Sequence, residues 1–433
     1  MRLIIGALRR LTSSSLTTRI LSGSGWSIIS SMVAQLIGLL TMIICARLLG
    51  SSVFGRLVIL QTTLSTVGLL SGFGVGATAI RYLPTHRHEP PERIGHILGL
   101  CERTVLTFGI SCATLAIVFS GRIARDLLNS TDLATPLAIA LLSILFLALD
   151  GLYKSALIGL ERIKSYATAA IAGQLWNLLV VTVGAATLGL LGAAIGLAAS
   201  GCVQAVISRI LLNRKLAELG IGFVRRGSLR EWRVLRDFAL PSLLATAMVG
   251  PAHWLCQLIL AGTGGGFHQI AVLGIAMQWF NAIVLLPTAA GRVLTPILVE
   301  STADGDHRKS LKVLQISVAS LAVVTIPCAG AIAFFATIIV TSYGSDFSGE
   351  QSALQLATVA GAIAAITAPI GNILIARSRA WLGLLMNFCW ACAYVGLSYL
   401  LRSHGAVGVT ASMAIAYVAL TALILSWTCR NLE

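Results

Sequence analysis

The chain is a succession of long apolar stretches separated by short polar ones, and within the apolar stretches hydrophobic residues do not alternate with polar ones. A helix needs about 20 apolar residues to cross the hydrocarbon of a bilayer. Only helices and closed barrels satisfy their own backbone polar groups there, and a barrel strand would alternate. The pattern therefore predicts helices, over Ser27 to Ala46, Leu57 to Ile80, Ile94 to Phe119, Leu133 to Ile158, Tyr166 to Leu188 and Leu191 to Leu212, then Phe238 to Ala261, Ile270 to Gly291, Val313 to Val340, Leu354 to Ala376, Trp381 to Leu401 and Ala406 to Trp427. That is twelve spans. No polar stretch between them is long enough for a catalytic domain.

Composition sharpens this reading. The 433 residues are 57% hydrophobic and 11% charged, against roughly 25% charge in soluble domains, so a water-soluble fold is excluded. No Gly-Lys-Ser/Thr phosphate loop occurs, which excludes ATP hydrolysis by the usual loop. The nine cysteines lie in or beside apolar runs and are odd in number, so no disulfide framework is expected. Cys389 and Cys392 form a C-x-x-C with no second pair, and read as small packing residues. Asp304-Gly-Asp306 has the look of a metal-binding D-x-D but sits in a short connection and reads as ordinary loop, so no metal and no cofactor are expected.

The net charge of +15 is unevenly placed. One face of the predicted topology carries 23 Lys and Arg, and the other carries only Arg47, Arg56, Arg122, Arg125 and Arg402. Positive residues near span ends are retained on the cytoplasmic side, so both termini are expected there. The basic residues lack interleaved aromatics and lie beside span ends, which argues for anionic lipid headgroups as partners and against nucleic acid. The segment 1–26 has Leu3, Ile4, Ile5, Leu8 and Leu11 among arginines and reads as a short interfacial helix.

The basic connection 213–237 divides the chain into lobes at 27–212 and 238–433, each with six spans. Gly189-Leu-Leu-Gly192 recurs as Gly405-Ala-Val-Gly408, and Ile158-Gly-Leu-Glu-Arg162 finds a weaker counterpart in Leu374-Ile-Ala-Arg377. An even number of spans per half relates the halves by an axis along the membrane normal, with substrate expected between them.

Polar side chains form stripes at helical spacing. The eighth span aligns Gln278, Asn281, Thr288 and Arg292; the seventh aligns Thr246, Gly250, His253 and Gln257; the first aligns Ser27, Ser31, Gln35 and Gly38; the second aligns Gln61, Ser65, Gly68, Gly72 and Gly76. Close packing and interhelical hydrogen bonding are the plainer account of such stripes. Lining of a cavity is the functional one. Arg292 either snorkels or faces that cavity. His253 is either a hydrogen-bonded interface histidine or a protonation switch. Asp150 and Lys154, one turn apart, either pair with each other or couple transport to H+ or Na+. Glu102 and Arg103 are expected at the interface.

Several motifs are recognisable. Ala46-Arg-Leu-Leu-Gly50-Ser-Ser-Val-Phe54-Gly55, then Gly72-Phe-Gly74-Val-Gly76 and Arg81-Tyr-Leu, and Phe238-Ala-Leu-Pro241 opening the second half, resemble the oligosaccharide flippases of the polysaccharide transporter family, within the multidrug/oligosaccharidyl-lipid/polysaccharide superfamily. The resemblance implies an all-α, MATE-like fold of two six-helix lobes, with a cavity lined by spans one, two, seven and eight. It further implies a bacterial inner-membrane transporter, not an enzyme, that turns an undecaprenyl-diphosphate-linked oligosaccharide outward by alternating access, with polysaccharide polymerase and assembly proteins as neighbours. Arg292, His253, Gln257, Asn281, Gln278, Gln35, Arg47 and Arg81 are then the candidate cavity residues. The chain departs from many relatives in two places: an Asp-Arg pair in span seven is replaced by Cys256-Gln257, and an acid in span two by Gly72. The alternatives are a cation-coupled drug exporter of the same superfamily, or a membrane-embedded polymerase or ligase. The scarcity of in-span acids weighs against the exporter, and the lack of a sizeable external loop, the longest (Ser120 to Asp132) supplying Arg122, Arg125, Asp126 and Asp132 but no His, weighs against the enzyme. Lipid II flippases, also related, usually have two more spans.

Overall fold

A computed structural model describes residues 15–85, 91–222, 248–303, 307–376 and 380–432. Among them the long helices are α1 (Ser15–Ser71), α2 (Val75–Thr85), α3 (Pro91–Arg122), α4 (Ala134–Leu141), α5 (Ser143–Gly159) and α6 (Ile163–Glu218) in the first half, then α7 (Val249–Ala261), α8 (Gly266–Ala303), α9 (His307–Phe334), α10 (Ala336–Ser342), α11 (Gln351–Ala376), α12 (Ala380–Leu400) and α13 (Gly405–Leu432) in the second. No strand occurs among the described residues.

Nine helical stretches there are long and apolar enough to cross a membrane, two of them 43 and 56 residues long. These two hold two spans each. Helix α1 turns at Gly50 (φ 72°, ψ 166°) and α6 at Gly189 (φ 60°, ψ −135°), conformations open to glycine and costly for other residues. The short α7 is the described part of the seventh span, and about twelve crossings result. The segments predicted at 1–14 and 223–247, including the start of the seventh span, fall outside the described residues.

The left-handed turns recur between the halves. Gly405, which opens the last helix, has φ 60° and ψ −139°, nearly the values at Gly189. Gly265, between the seventh and eighth spans, has φ 75°, matching Gly50. The second span is not continuous as expected. It breaks at Gly72–Gly74, where Phe73 (φ 42°) and Gly74 (φ 66°) leave the right-handed helix; Phe73 stacks on Phe108 with ring centroids 4.3 Å apart.

Helix packing relies on small residues. Where α6 doubles back, a methyl on Gly192 would fall 2.0 Å from the Gly184 carbonyl oxygen, and one on Gly196 would fall 2.6 Å from that of Val180. Small residues four apart let backbones touch in a medium where burial of apolar area drives nothing. Gly192→Val should therefore destabilise the protein by about 1–3 kcal/mol, read as a lower Tm in detergent, whereas Gly121→Ala, whose added methyl meets no atom within 4 Å, should leave the Tm unchanged.

Candidate functional site

The two lobes meet along α1 on one side and α7 and α8 on the other, and the contacts begin at the turn around Gly50. Arg47 Nε donates to the Ser342 carbonyl (2.7 Å), and the Ser51 amide donates to Asp346 Oδ2 (3.3 Å). Phe54, fully buried, meets the edge of Phe347 with centroids 6.3 Å apart. Gly55 lies against the Phe267 backbone so closely that a Cβ would fall 1.7 Å from its carbonyl oxygen. The Arg56 guanidinium rests on the Phe267 ring at 5.1 Å. The segment Ala46 to Gly55, singled out by its sequence, is thus a wedge driven into the opposite lobe.

Deeper along the same interface, Val58 packs on Gly274, where a Cβ would come 2.7 Å from its methyls. Thr62 Oγ1 donates to Gln257 Oε1 (2.5 Å), Trp254 Nε1 donates to Thr63 Oγ1 (2.9 Å), and Gln35 Nε2 donates to the Gln278 carbonyl (3.3 Å). Asn281, one turn beyond Gln278, and Ser65, one turn beyond Thr62, are exposed on their helices. Closure therefore runs from the Gly50 end to about the middle of the spans, and polar side chains are open past it.

The structure brings Gln35, Gln257 and Gln278 to the interface between lobes, places Arg47 at its Gly50 end, and leaves Asn281 open. His253 turns away from that interface, into the second lobe. Its Nδ1 lies 3.2 Å from the Tyr394 hydroxyl, and its ring is edge-on to Phe280, Trp390 and Tyr394. Arg81 lies exposed at the far end of α2, beside the ring of Tyr82. Arg292 lies on α8, and its side chain is outside the described residues, as is that of Thr288. Asp346, Phe347, Phe267 and Trp254 take part in the interface although the sequence reading passed over them. They carried no motif, and only the fold brings the connection after the ninth span against the first.

A second polar cluster lies wholly within the first lobe. Lys154 Nζ donates to Asp150 Oδ2 (2.7 Å), and the buried Ser208 hydroxyl donates to Asp150 Oδ1 (2.6 Å). Beside them Arg209 Nη1 and the Tyr153 hydroxyl both donate to Glu102 Oε1, at 2.6 Å and 2.8 Å. Glu102, expected at the membrane interface, is enclosed by neighbouring side chains. It is 6% exposed, because Tyr153 and Arg209 reach it from neighbouring helices. Each buried carboxylate has a cation and a hydroxyl, which is what hydrocarbon demands of a charge. Among the described residues no group of three metal-binding side chains occurs.

An all-helical bundle of two lobes joined along polar faces, with charges paired inside one of them, has the architecture of a membrane transporter. Residues 20–301 match the family described as polysaccharide biosynthesis protein, and the chain belongs to that family. It is 27% identical over 378 residues to the EPS I polysaccharide export inner membrane protein EpsE of Ralstonia solanacearum, covering 85% of this chain and 84% of that protein. Among solved structures it resembles an inward-facing multidrug resistance MATE family transporter of the MOP superfamily, at 14% identity and TM-score 0.79, over 92% of this chain and 94% of the other. It also resembles the lipid II flippase MurJ in an inward closed conformation, at 15% identity and TM-score 0.73, over 93% of this chain and 87% of the other. These likenesses establish the fold of the superfamily.

Removing one partner of a buried ion pair costs more than the pair is worth. Asp150→Asn should lower stability by about 3 kcal/mol, and adding Lys154→Met should recover most of that loss; both are read by thermal unfolding in detergent.

Proposed function

We propose that this protein is a flippase that moves a lipid-linked saccharide, an undecaprenyl-diphosphate-linked repeat unit in the fullest form of the reading, from the cytoplasmic to the outer leaflet of a bacterial inner membrane. The observation that carries the proposal is the one-ended closure between lobes, made by the Ala46 to Gly55 wedge, in a chain of the polysaccharide biosynthesis family. Sugar hydroxyls and a diphosphate cannot be left unpaired in hydrocarbon. A polar gap between lobes gives the headgroup a path while the lipid tail stays in the bilayer.

The uneven basic charge orients the molecule in this reading. The face with 23 Lys and Arg is cytoplasmic, both termini lie there, and the wedge seals the outer side. The lobes run over 27–212 and 238–433, with 213–237 as a linker and 1–26 lying along the inner surface on anionic lipids. The described state is then open to the cytoplasm, and Asn281 faces the entering headgroup, with Arg81 near the entrance; Arg292, further along the same helix, is the cation proposed for the diphosphate. Rocking the lobes parts Thr62 from Gln257 and Gln35 from Gln278 and closes the opposite end. His253 and the Asp150–Lys154 pair are where coupling to H+ or Na+ is to be sought. Polymerase and assembly proteins take up the product. The EpsE relative, a polysaccharide export protein by name, supports this reading over drug export.

A strain lacking the gene should accumulate the lipid-linked saccharide on the inner leaflet, and surface polysaccharide should fall; an unchanged leaflet distribution would refute the assignment. Gly55→Val should prevent the outer seal from closing. It is expected to cut export by tenfold or more, since the clash with Phe267 cannot be relieved without parting the lobes. Equal export at equal protein level would remove the seal from the mechanism.

A further inference from the structure

We infer that the face holding the seal also carries a saccharide-binding pocket, formed by the second lobe alone, that receives pyranose hydroxyls outside the membrane. The inference rests on the flippase reading for its choice of ligand. The pocket itself stands on geometry. Three connections converge there: the turn between the seventh and eighth spans supplies Thr263 and Gly264, that between the ninth and tenth supplies Glu350, and that between the eleventh and twelfth supplies Arg402, Ser403 and His404. They enclose a cavity of about 550 Å³, within the ~300–1,000 Å³ usual for small-ligand sites.

The floor is preset. Gln269 Oε1 accepts the Ala406 amide (2.7 Å), which fixes which way the side-chain amide faces. Its Nε2 then donates to Glu350 Oε1 (3.3 Å), and His268 Nε2 lies 3.3 Å from the same oxygen. Gly405 has a left-handed φ of 60°, and a methyl there would fall 2.2 Å from Gln269 Oε1. Only glycine lets the last helix start so close to the amide. On the wall, the Arg402 guanidinium lies over the Tyr399 ring at 4.2 Å, and Ser403 Oγ lies 3.3 Å from His404 Nδ1.

The donor set selects the ligand. A carboxylate accepts hydrogen bonds from hydroxyls and repels phosphate. A guanidinium, a serine hydroxyl and an imidazole give and take further bonds. One acid, one arginine and one histidine in a polar bowl match a ring bearing several hydroxyls better than a bare anion or a metal ion. The pocket is linked to the seal through its wall: His268, 3.3 Å from Glu350, stacks on Phe347 at 5.8 Å, and Phe347 packs against Phe54 of the other lobe. A sugar bonded to Glu350 is therefore connected to the wedge through His268 and Phe347, where an emerging glycan would first meet the outer surface.

The test uses Ser403→Cys in cells with permeabilised outer membranes, labelled by a membrane-impermeant maleimide, with the unsubstituted protein as background. Glucose, galactose, N-acetylglucosamine, glucuronate and inorganic phosphate are added in turn. At least one sugar is expected to slow labelling. Adding Glu350→Gln or Arg402→Ala should weaken that protection by about tenfold, the worth of one charged hydrogen bond. These two substitutions lie on separate connections, so one decides if the other does not reach the membrane. No protection by any sugar, protection indifferent to both substitutions, or protection by phosphate alone would each overturn the inference. Leaflet distribution in the deletion strain is read separately. Normal complementation without sugar protection removes the pocket and keeps the flippase. Protection without any effect of deletion on the lipid-linked saccharide does the reverse.

Discussion

Hydrocarbon offers a polar group nothing to bond with, and this constraint accounts for most of what the chain does. It makes every crossing a helix. It gives Asp150 a lysine and a serine, and Glu102 an arginine and a tyrosine. It brings Thr62 against Gln257 and Thr63 against Trp254 across the lobes. Thr62, Gln257, Thr63, Trp254 and Gln35 each have a partner on the other lobe in this state, and in the proposed alternation they exchange it for water or for a sugar hydroxyl. That exchange is nearly balanced in free energy, because a hydrogen bond gained in a protein replaces one to water and nets only about 1 kcal/mol. Two states of similar energy are what a rocking transporter needs.

Close backbone approach supplies the rest. Gly55 on Phe267, Gly274 on Val58, Gly192 on Gly184 and Gly76 on Ser155 are contacts that any larger residue would push apart. The same devices serve two purposes. Within the first lobe they lock helices α5 and α6 and their neighbours into a rigid body. Between lobes, Gly55 and Gly274 allow a flush fit that, among the described residues, is made without covalent or ionic ties. The two halves reuse the same left-handed turns at Gly50 and Gly265, and at Gly189 and Gly405. At the Gly50 end they have nonetheless diverged: the first half supplies the wedge, and the second supplies the groove that takes it.

Much of the fold was legible because helical spans are written in the sequence at full length. The break after Leu188 was placed within a residue of the turn at Gly189. The break at Phe73 was not anticipated, since a glycine-rich apolar stretch reads the same whether its helix continues or bends. The site was legible in part. Stripes on the first, seventh and eighth spans picked out Gln35, Gln257 and Gln278, which do meet or border the facing lobe. Periodicity could not say that His253, on the same stripe as Gln257, turns into an aromatic cluster with Tyr394 and Trp390, because a stripe about a hundred degrees wide can be shared between two neighbours. The pairing of Glu102 was out of reach for a related reason. Its partners, 51 and 107 residues away, are brought to it only by the tertiary fold.

Among the described residues no ion pair crosses from one lobe to the other; the four ion pairs described all lie within a lobe. Screening by dissolved ions weakens exposed charge pairs strongly and neutral hydrogen bonds or ring contacts little. The contact of Phe54 with Phe347 and the flush fit of Gly55 on Phe267 carry no charge, and the ionised Arg47 and Asp346 beside them bond neutral backbone groups, so the closure loses little strength whether the solution bathing it is brackish or nearly fresh, a useful property for a cell whose surroundings change osmolarity without warning.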